Sequence, residues 1–119
     1  SAFLTFGMKN LMGVCLGNRG KIHQDIGNKL VDLAMFIKPD LTVVDAYRML
    51  MANGPQGGSL DDVKTPKTVA VGTDPVLCDT WGARFWGIDP RKVSGIPEAV
   101  ERKFGSVKLD RARTRELSI

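Results

Sequence analysis

The sequence contains few of the residues that metal centres and disulfide scaffolds require. It has two cysteines, Cys15 and Cys78, and one histidine, His23. The cysteines lie far apart and form no Cys-x-x-Cys motif, so they match neither a disulfide-dense secreted scaffold nor the ligand set of a zinc or iron-sulfur site. We therefore expect two reduced thiols, no tightly bound metal in this chain, and a reducing compartment, the cytoplasm.

Membrane and nucleotide-binding motifs are also missing. No apolar run approaches the ~18 residues of a membrane span, and the chain does not open with a signal-peptide pattern. Gly20-Lys21 is followed by Ile22, where a Walker motif needs serine or threonine, and no Gly-x-Gly-x-x-Gly occurs. These absences argue against a membrane protein, ATP hydrolysis and dinucleotide binding.

The composition is that of one globular domain. The 119 residues are 43% hydrophobic and 25% charged, which is enough to bury a core in a single domain over 1–119. The formal net charge is +4, but the basic residues are scattered until residues 108–116. No stripe of aromatic and basic residues accompanies them, so the charge favours a small anionic ligand over nucleic acid.

The apolar pattern alternates between strand and helix. Asp74 suits an N-cap, Pro75 the first helical position and Gly87 the residue just past a helix end. The alternation predicts an α/β fold, a mixed, mostly parallel sheet with covering helices. The predicted strands cover residues 2–8, 41–51 and 67–72, and the predicted helices cover 24–37, 74–86 and 97–104.

A glycine-rich loop follows the second predicted strand. Its backbone N–H groups could bind an anion, because glycine permits positive φ and a close approach of the ligand. The same residues also suit a plain turn. The candidate ligand-binding residues of this loop are Asn53, Gly54, Gly57 and Gly58.

Three aspartates have different prospects as site residues. Asp74 is explained by its capping role, although it also stands beside the predicted site. Asp79 shares a helix face with small and apolar residues, where a carboxylate is costly to bury without a partner. Arg84, Lys9 or a metal could be that partner. Asp45 is either a ligand-binding residue or part of an exposed strand face.

Three polar residues complete the candidate set. His23 could act as a general acid or base or be a surface residue near a helix start. Lys9 and Asn10 follow the first predicted strand, where a cation and an amide would meet a ligand at the carboxyl edge of a sheet. We therefore assign candidate catalytic roles to His23 and Asp79. The candidate ligand-binding residues are Lys9, Asn10, Asp45, Asn53, Gly54, Gly57, Gly58 and Asp74.

Several spaced motifs together resemble the DUF362 family, over roughly residues 3 to 90. This uncharacterised prokaryotic family is often found with ferredoxin-type iron-sulfur modules, so the resemblance implies a redox or metal association. Any cluster would lie elsewhere in the parent protein, because this chain lacks clustered cysteines. The motifs are Met8 to Val14, His23, Leu41 to Asp45, Asn53 to Pro55, and Asp74 to Val76 with Asp79.

The resemblance covers only the C-terminal part of that domain, which suggests a piece of a longer protein. The resulting hypothesis is a DUF362-like domain acting on a small anionic ligand in a redox- or metal-associated protein. The alternative is a non-catalytic scaffold that docks an iron-sulfur module or another protein. A looser kinship to nickel-pincer racemase-type enzymes is suggested by family architecture and by no motif. An unpaired first strand would favour a homo-oligomer.

Overall fold

The structure is a computed structural model that describes residue 4 and residues 6–52 and 58–118. The described part contains four α-helices, two small sheets and several short 3₁₀ turns. The helices are α1 (Gly7–Asn10), α2 (Ile26–Ile37), α3 (Pro75–Phe85) and α4 (Ile96–Glu101). The strands are β1 (Thr42–Ala46), β2 (Met49–Leu50), β3 (Val63–Lys64) and β4 (Thr68–Gly72).

The prediction of a mostly parallel sheet is wrong. Strand β1 pairs antiparallel with β4, and β2 pairs antiparallel with β3. A parallel neighbour requires a crossover connection, usually a helix, between consecutive strands. The segment from β1 to β4 contains instead the short β2–β3 pair and the 3₁₀ turn Leu60–Asp62. The chain therefore returns beside β1 in the opposite direction.

The long strand predicted over residues 41–51 is divided into β1 and β2. Asp45 causes the division locally, because its carboxylate accepts a 2.8 Å hydrogen bond from the backbone N–H of Tyr47. Such a bond between an aspartate and the residue two positions later holds a turn. Tyr47 and Arg48 accordingly form a bend between the two strands.

The strand predicted over residues 2–8 is also wrong where the structure describes it. Gly7 and Met8 belong to α1, and the Met8 side chain is fully buried. Residues 2, 3 and 5 of that prediction lie outside the described part. The short apolar run resembled a strand because four helical residues are too few to show a helical period.

The three predicted helices are confirmed, with their ends shifted by at most three residues. Asp74 caps α3 by accepting hydrogen bonds from the N–H groups of Val76 and Leu77, and Pro75 is the first helical residue. Gly87, just past the end, has a φ of +77°. These residues act as the capping rules predict.

The core lies between the helices and one face of β1. Helix α3 buries Val76, Thr80 and Ala83 completely, and these lie on one helical face. Trp81 and Phe85 stack on each other with ring centroids 4.7 Å apart, and Phe85 is 40% exposed. This stacked pair therefore borders the core instead of forming it. None of the described helices is long and apolar enough to cross a membrane.

Candidate functional site

A groove runs beside β1 and has a volume of about 460 Å³. This size falls within the usual range for small-molecule sites. Most of the described lining residues are of apolar types, and four polar ones lie among them. The groove is lined by Phe6, Gly7, Asn10, Leu11, Pro39, Leu41, Thr42, Val43, Val44, Asp45, Arg48, Met49, Leu50 and Trp86.

One wall of the groove depends on a close approach of α1 to β1. A Cβ atom at Gly7 would lie 2.7 Å from Cγ2 of Thr42, a distance that real Cβ contacts do not adopt. Only glycine therefore permits this packing. The Phe6 ring lies 5.9 Å from the Trp86 ring, with the planes tilted by 55°. This contact holds the residue before α1 against the end of α3.

Arg48 is the cation of the groove. Among the described residues, its guanidinium has no ion pair and no hydrogen-bond partner. Asp45 lines the same groove but is engaged by the N–H of Tyr47 and forms no ion pair with Arg48. Asn10 is exposed and contributes an amide. Two of the sequence-predicted residues, Asn10 and Asp45, are thus brought together, with an arginine that sequence reasoning missed.

Asp79 has a partner that the sequence did not indicate. Its carboxylate is 4% exposed and accepts hydrogen bonds from the backbone N–H groups of Gly7, at 2.7 Å, and Met8, at 3.1 Å. These are the first two N–H groups of α1, which have no acceptor within the helix. Asp79 on α3 therefore caps α1 from a distance. Asp79 does not line the groove itself. It holds the start of α1, and Gly7 of α1 lines the groove.

Burial sets the protonation of the groups around Asp79. Desolvation raises the pKa of Asp79 to about 6, the two N–H bonds oppose this rise, and the charge of Asp74 adds to it. Burial, with the charges of Asp79 and Asp74, raises the pKa of the Cys78 thiol to about 11. Cys78 is thus a protonated structural thiol at neutral pH, and its Sγ lies 4.0 Å from the carbonyl oxygen of Thr42.

Asp74 is engaged on both carboxylate oxygens. One oxygen accepts from Val76 and Leu77, and the other accepts a 2.8 Å hydrogen bond from the N–H of Ser106. It borders a smaller hollow of about 220 Å³ beside Lys38 and Gly105, not the main groove. Three backbone hydrogen bonds account for this aspartate structurally.

The remaining candidates are dispersed. Lys9 is half-buried on α1, His23 is exposed at the end of the turn Arg19–His23, and Gly58 is exposed with a φ of +94°. None of the three lines the groove. Asn53, Gly54 and Gly57 lie outside the described residues. Within the part of the chain that is described, no three metal-ligating side chains are grouped closely enough to hold an ion.

Arg48, Phe6 and Trp86 are the groove residues that sequence reasoning missed. The predicted strand over 41–51 included Arg48, the predicted strand over 2–8 included Phe6, and Trp86 stood at the end of the predicted helix 74–86. The turn signal of Asp45 two residues before Tyr47 could have identified Arg48, because a cation just after a strand end is well placed at the edge of a sheet. No pattern in the neighbouring sequence indicates that the Phe6 ring packs against the Trp86 ring.

The comparisons with known proteins agree with the motifs on β1, α1 and α3. No curated protein and no solved structure matches the chain. A family described as "Domain of unknown function (DUF362)" matches residues 1–84 of the 119, a span that includes α1, all four strands and most of α3. The chain therefore belongs to the DUF362 family.

Proposed function

We propose that this DUF362 domain binds a small anionic ligand in the groove beside β1, with Arg48 as the partner of the negative charge. The observation that carries the proposal is that Arg48, an exposed arginine with no partner among the described residues, lines a groove of about 460 Å³. Arginine presents several N–H donors in a planar fork that matches carboxylate and phosphate. A cation that forms no ion pair within the described part of the chain favours an anion from solution.

The rest of the lining suits an anion that carries an apolar part. Phe6, Leu41 and Trp86 present hydrocarbon surface, and Asn10 can donate a hydrogen bond from its amide. Asp45 is the one acidic group in the lining, and its hydrogen bond from Tyr47 ties it to the bend. Recognition would thus combine one charged contact with burial of an apolar body, as small-molecule sites commonly do.

The redox or metal association of the parent protein is part of the proposal and rests on the family resemblance. An iron-sulfur cluster needs about four thiolate ligands. This chain has only Cys15 and Cys78, and the second is a buried thiol bonded to the backbone. These residues do not fit a cluster, so the redox centre would belong to another module or to a partner protein.

Paired probes test the small-anion site. Benzoate and its neutral isostere benzamide are titrated into ¹⁵N-labelled protein, and amide shifts are followed by NMR. We expect benzoate to shift the amides of Asn10, Val44 and Arg48, and benzamide to bind at least about tenfold more weakly, because it lacks the charge.

Two arginine variants make the test specific. Arg48→Gln should remove most of the preference for benzoate over benzamide. Arg113→Gln is the matched control, because Arg113 is exposed and does not line the groove. Equal binding of the two probes, or a preference for benzoate that survives in Arg48→Gln, would contradict the proposal.

The scaffold alternative is supported by the exposed outer face of the β1–β4 sheet, which meets the groove at Val43. Val43, Val69 and Val71 lie on the outer face of the β1–β4 sheet and are 57–59% exposed. A cluster of exposed β-branched residues is typical of an interaction face. A ferredoxin titrated into labelled protein should then shift amides of β4, and Val71→Lys should abolish the shifts. Absence of any shift would contradict docking of such a module on this face.

A further inference from the structure

The ring of Phe6 lies directly on the backbone of Gly82 in α3. A Cβ atom at Gly82 would lie 2.6 to 3.0 Å from three atoms of this ring, so a larger residue would displace it. Glycine is unfavourable in the interior of a helix, and Gly82 is buried within α3. The contact with Phe6 therefore gives this glycine a packing role, which is to leave room for the ring.

Trp86 is held by the same glycine. Its backbone N–H donates a 3.0 Å hydrogen bond to the carbonyl of Gly82, at the end of α3. The centroid of its ring lies 5.9 Å from that of Phe6, and the two ring planes are inclined by 55°. Both side chains are half-buried, and both line the groove. The groove therefore has an aromatic wall whose two rings are positioned by one residue of α3.

Two inclined rings suit an aromatic group better than an aliphatic one. The face of an aromatic ring is electrostatically negative and its edge is positive, so rings prefer offset stacking or edge-to-face contact. A flat ring stacked on one member of the pair is inclined by 55° to the other, so both kinds of contact occur together. An aliphatic group of the same size gains only dispersion and burial from these surfaces.

We infer that the anion bound in this groove is aromatic, with its ring packed against Phe6 and Trp86 and its charged group on Arg48. The inference rests on the proposed function, because it assigns the chemical class of that ligand. Arg48 and both rings line one groove, so a single molecule can contact all three. Gly82 is then a positioning residue, because it holds the rings that select the ligand without lining the groove itself.

The test compares benzoate with cyclohexanecarboxylate in the NMR assay described above. The two acids carry the same charge, and the saturated one is the more apolar, so burial alone predicts that it binds at least as tightly. We expect benzoate to bind at least about threefold more tightly instead, because only its ring is aromatic. It should also shift the indole N–H of Trp86 and leave that of Trp81, which does not line the groove, in place.

Variants of the aromatic wall make the test specific. Trp86→Leu should remove most of the preference for benzoate over cyclohexanecarboxylate, whereas Trp86→Phe, which keeps a ring, should retain it. Gly82→Ala should act like Trp86→Leu, because the added methyl group displaces the Phe6 ring. Trp81→Leu is the matched control, since Trp81 stacks on Phe85 outside the groove. All four variants should still bind benzoate more tightly than benzamide, because Arg48 is unchanged.

The outcomes distinguish this inference from the proposed function. Equal or tighter binding of cyclohexanecarboxylate overturns the aromatic inference, and so does a preference for benzoate that survives in both Trp86→Leu and Gly82→Ala. Either result leaves the small-anion proposal intact, provided that benzoate still binds more tightly than benzamide through Arg48. Failure of both acids to bind overturns the inference and the proposed function together.

Discussion

The carboxylate of Asp79 accepts a 2.7 Å hydrogen bond from the backbone N–H of Gly7, which lies 72 positions earlier in the chain. This contact joins α3 to the start of α1 and therefore connects a buried acid to one wall of the groove. Gly7 lines the groove, and Met8, the second partner of Asp79, is fully buried in the core. The position of α1 depends on a charge that is removed from solvent.

The first prediction concerns the local stability of α1. In Asp79→Ala, the N–H groups of Gly7 and Met8 lose their acceptor, and no helical carbonyl can replace it. We expect hydrogen exchange at these two amides to become at least about tenfold faster relative to the amide of Ala34, which lies within α2. Unchanged relative exchange would show that Asp79 does not hold α1.

The second prediction concerns the pH dependence of folding. The pKa of Asp79 is raised from 3.8 to about 6, so the folded state retains a proton that the unfolded chain releases. The stabilising contribution of this proton is complete below pH 3.8 and is lost as pH rises through about 6. Asp79→Asn lacks this titration.

Urea unfolding from pH 3.5 to 7.5 measures the effect. The wild type should lose on the order of 3 kcal/mol relative to Asp79→Asn as pH rises across this window, at about 1.4 kcal/mol for each unit of pKa shift. Asp45→Asn, at an exposed aspartate, is the control and should follow the wild type. A wild type that gains stability with pH relative to Asp79→Asn would contradict the assignment.

The third prediction concerns Gly105, which lies against the capped start of α3. Its φ is +71°, and an added Cβ would lie 2.7 Å from Oδ1 of Asp74 and 2.6 Å from Cγ2 of Val76. Gly105→Ala should lower the free energy of unfolding by more than about 1 kcal/mol. Gly13→Ala, where nothing lies within 4 Å, should change it by less than about 0.5 kcal/mol. Similar melting temperatures for the two variants would argue against this packing.

The fourth prediction distinguishes the two thiols. Cys78 is 7% exposed, and its pKa is about 11, so almost no thiolate exists at pH 8. Cys15 is half-buried near the surface. Iodoacetamide at pH 8 should modify Cys15 in the native protein and Cys78 only after unfolding, as mass spectrometry would show. Modification of Cys78 at the same rate as Cys15 would count against its burial.

The fifth prediction concerns assembly. Val69 and Val71 on β4 are exposed beside Val43 and give the β1–β4 sheet an apolar outer face. We expect a homo-oligomer whose mass rises with concentration in light scattering. Val71→Lys should shift the population toward monomer, because it places a charge on the apolar face. A wild type that stays monomeric at high concentration would refute this expectation.

The helix ends and their caps could be predicted from the sequence because the signals are local. Asp74, Pro75 and Gly87 each act within a few residues of their own position, and α3 begins and ends as they indicate. The same locality explains the recognition of the family, since its motifs are short runs that retain their order and spacing.

The partner of Asp79 could not be predicted, because the donors are backbone N–H groups that every residue possesses. From the sequence, the expected partner of Asp79 was Arg84, Lys9 or a metal. The hydrogen bonds come instead from the backbone N–H groups of Gly7 and Met8. The helical period correctly indicated that Asp79 faces small and apolar residues. The period contained no information on which distant helix would begin against that face.

The sequence by itself determined the family, the helices α2, α3 and α4, and the cap of α3, because these depend on residues near one another in the chain. Tertiary structure alone decided the antiparallel pairing of β1 with β4, the helical form of Gly7 and Met8, and the meeting of Asn10, Asp45 and Arg48 in one groove. Strand direction depends on the path of the intervening chain, and a groove depends on which surfaces pack. Both are long-range properties that local propensity does not encode.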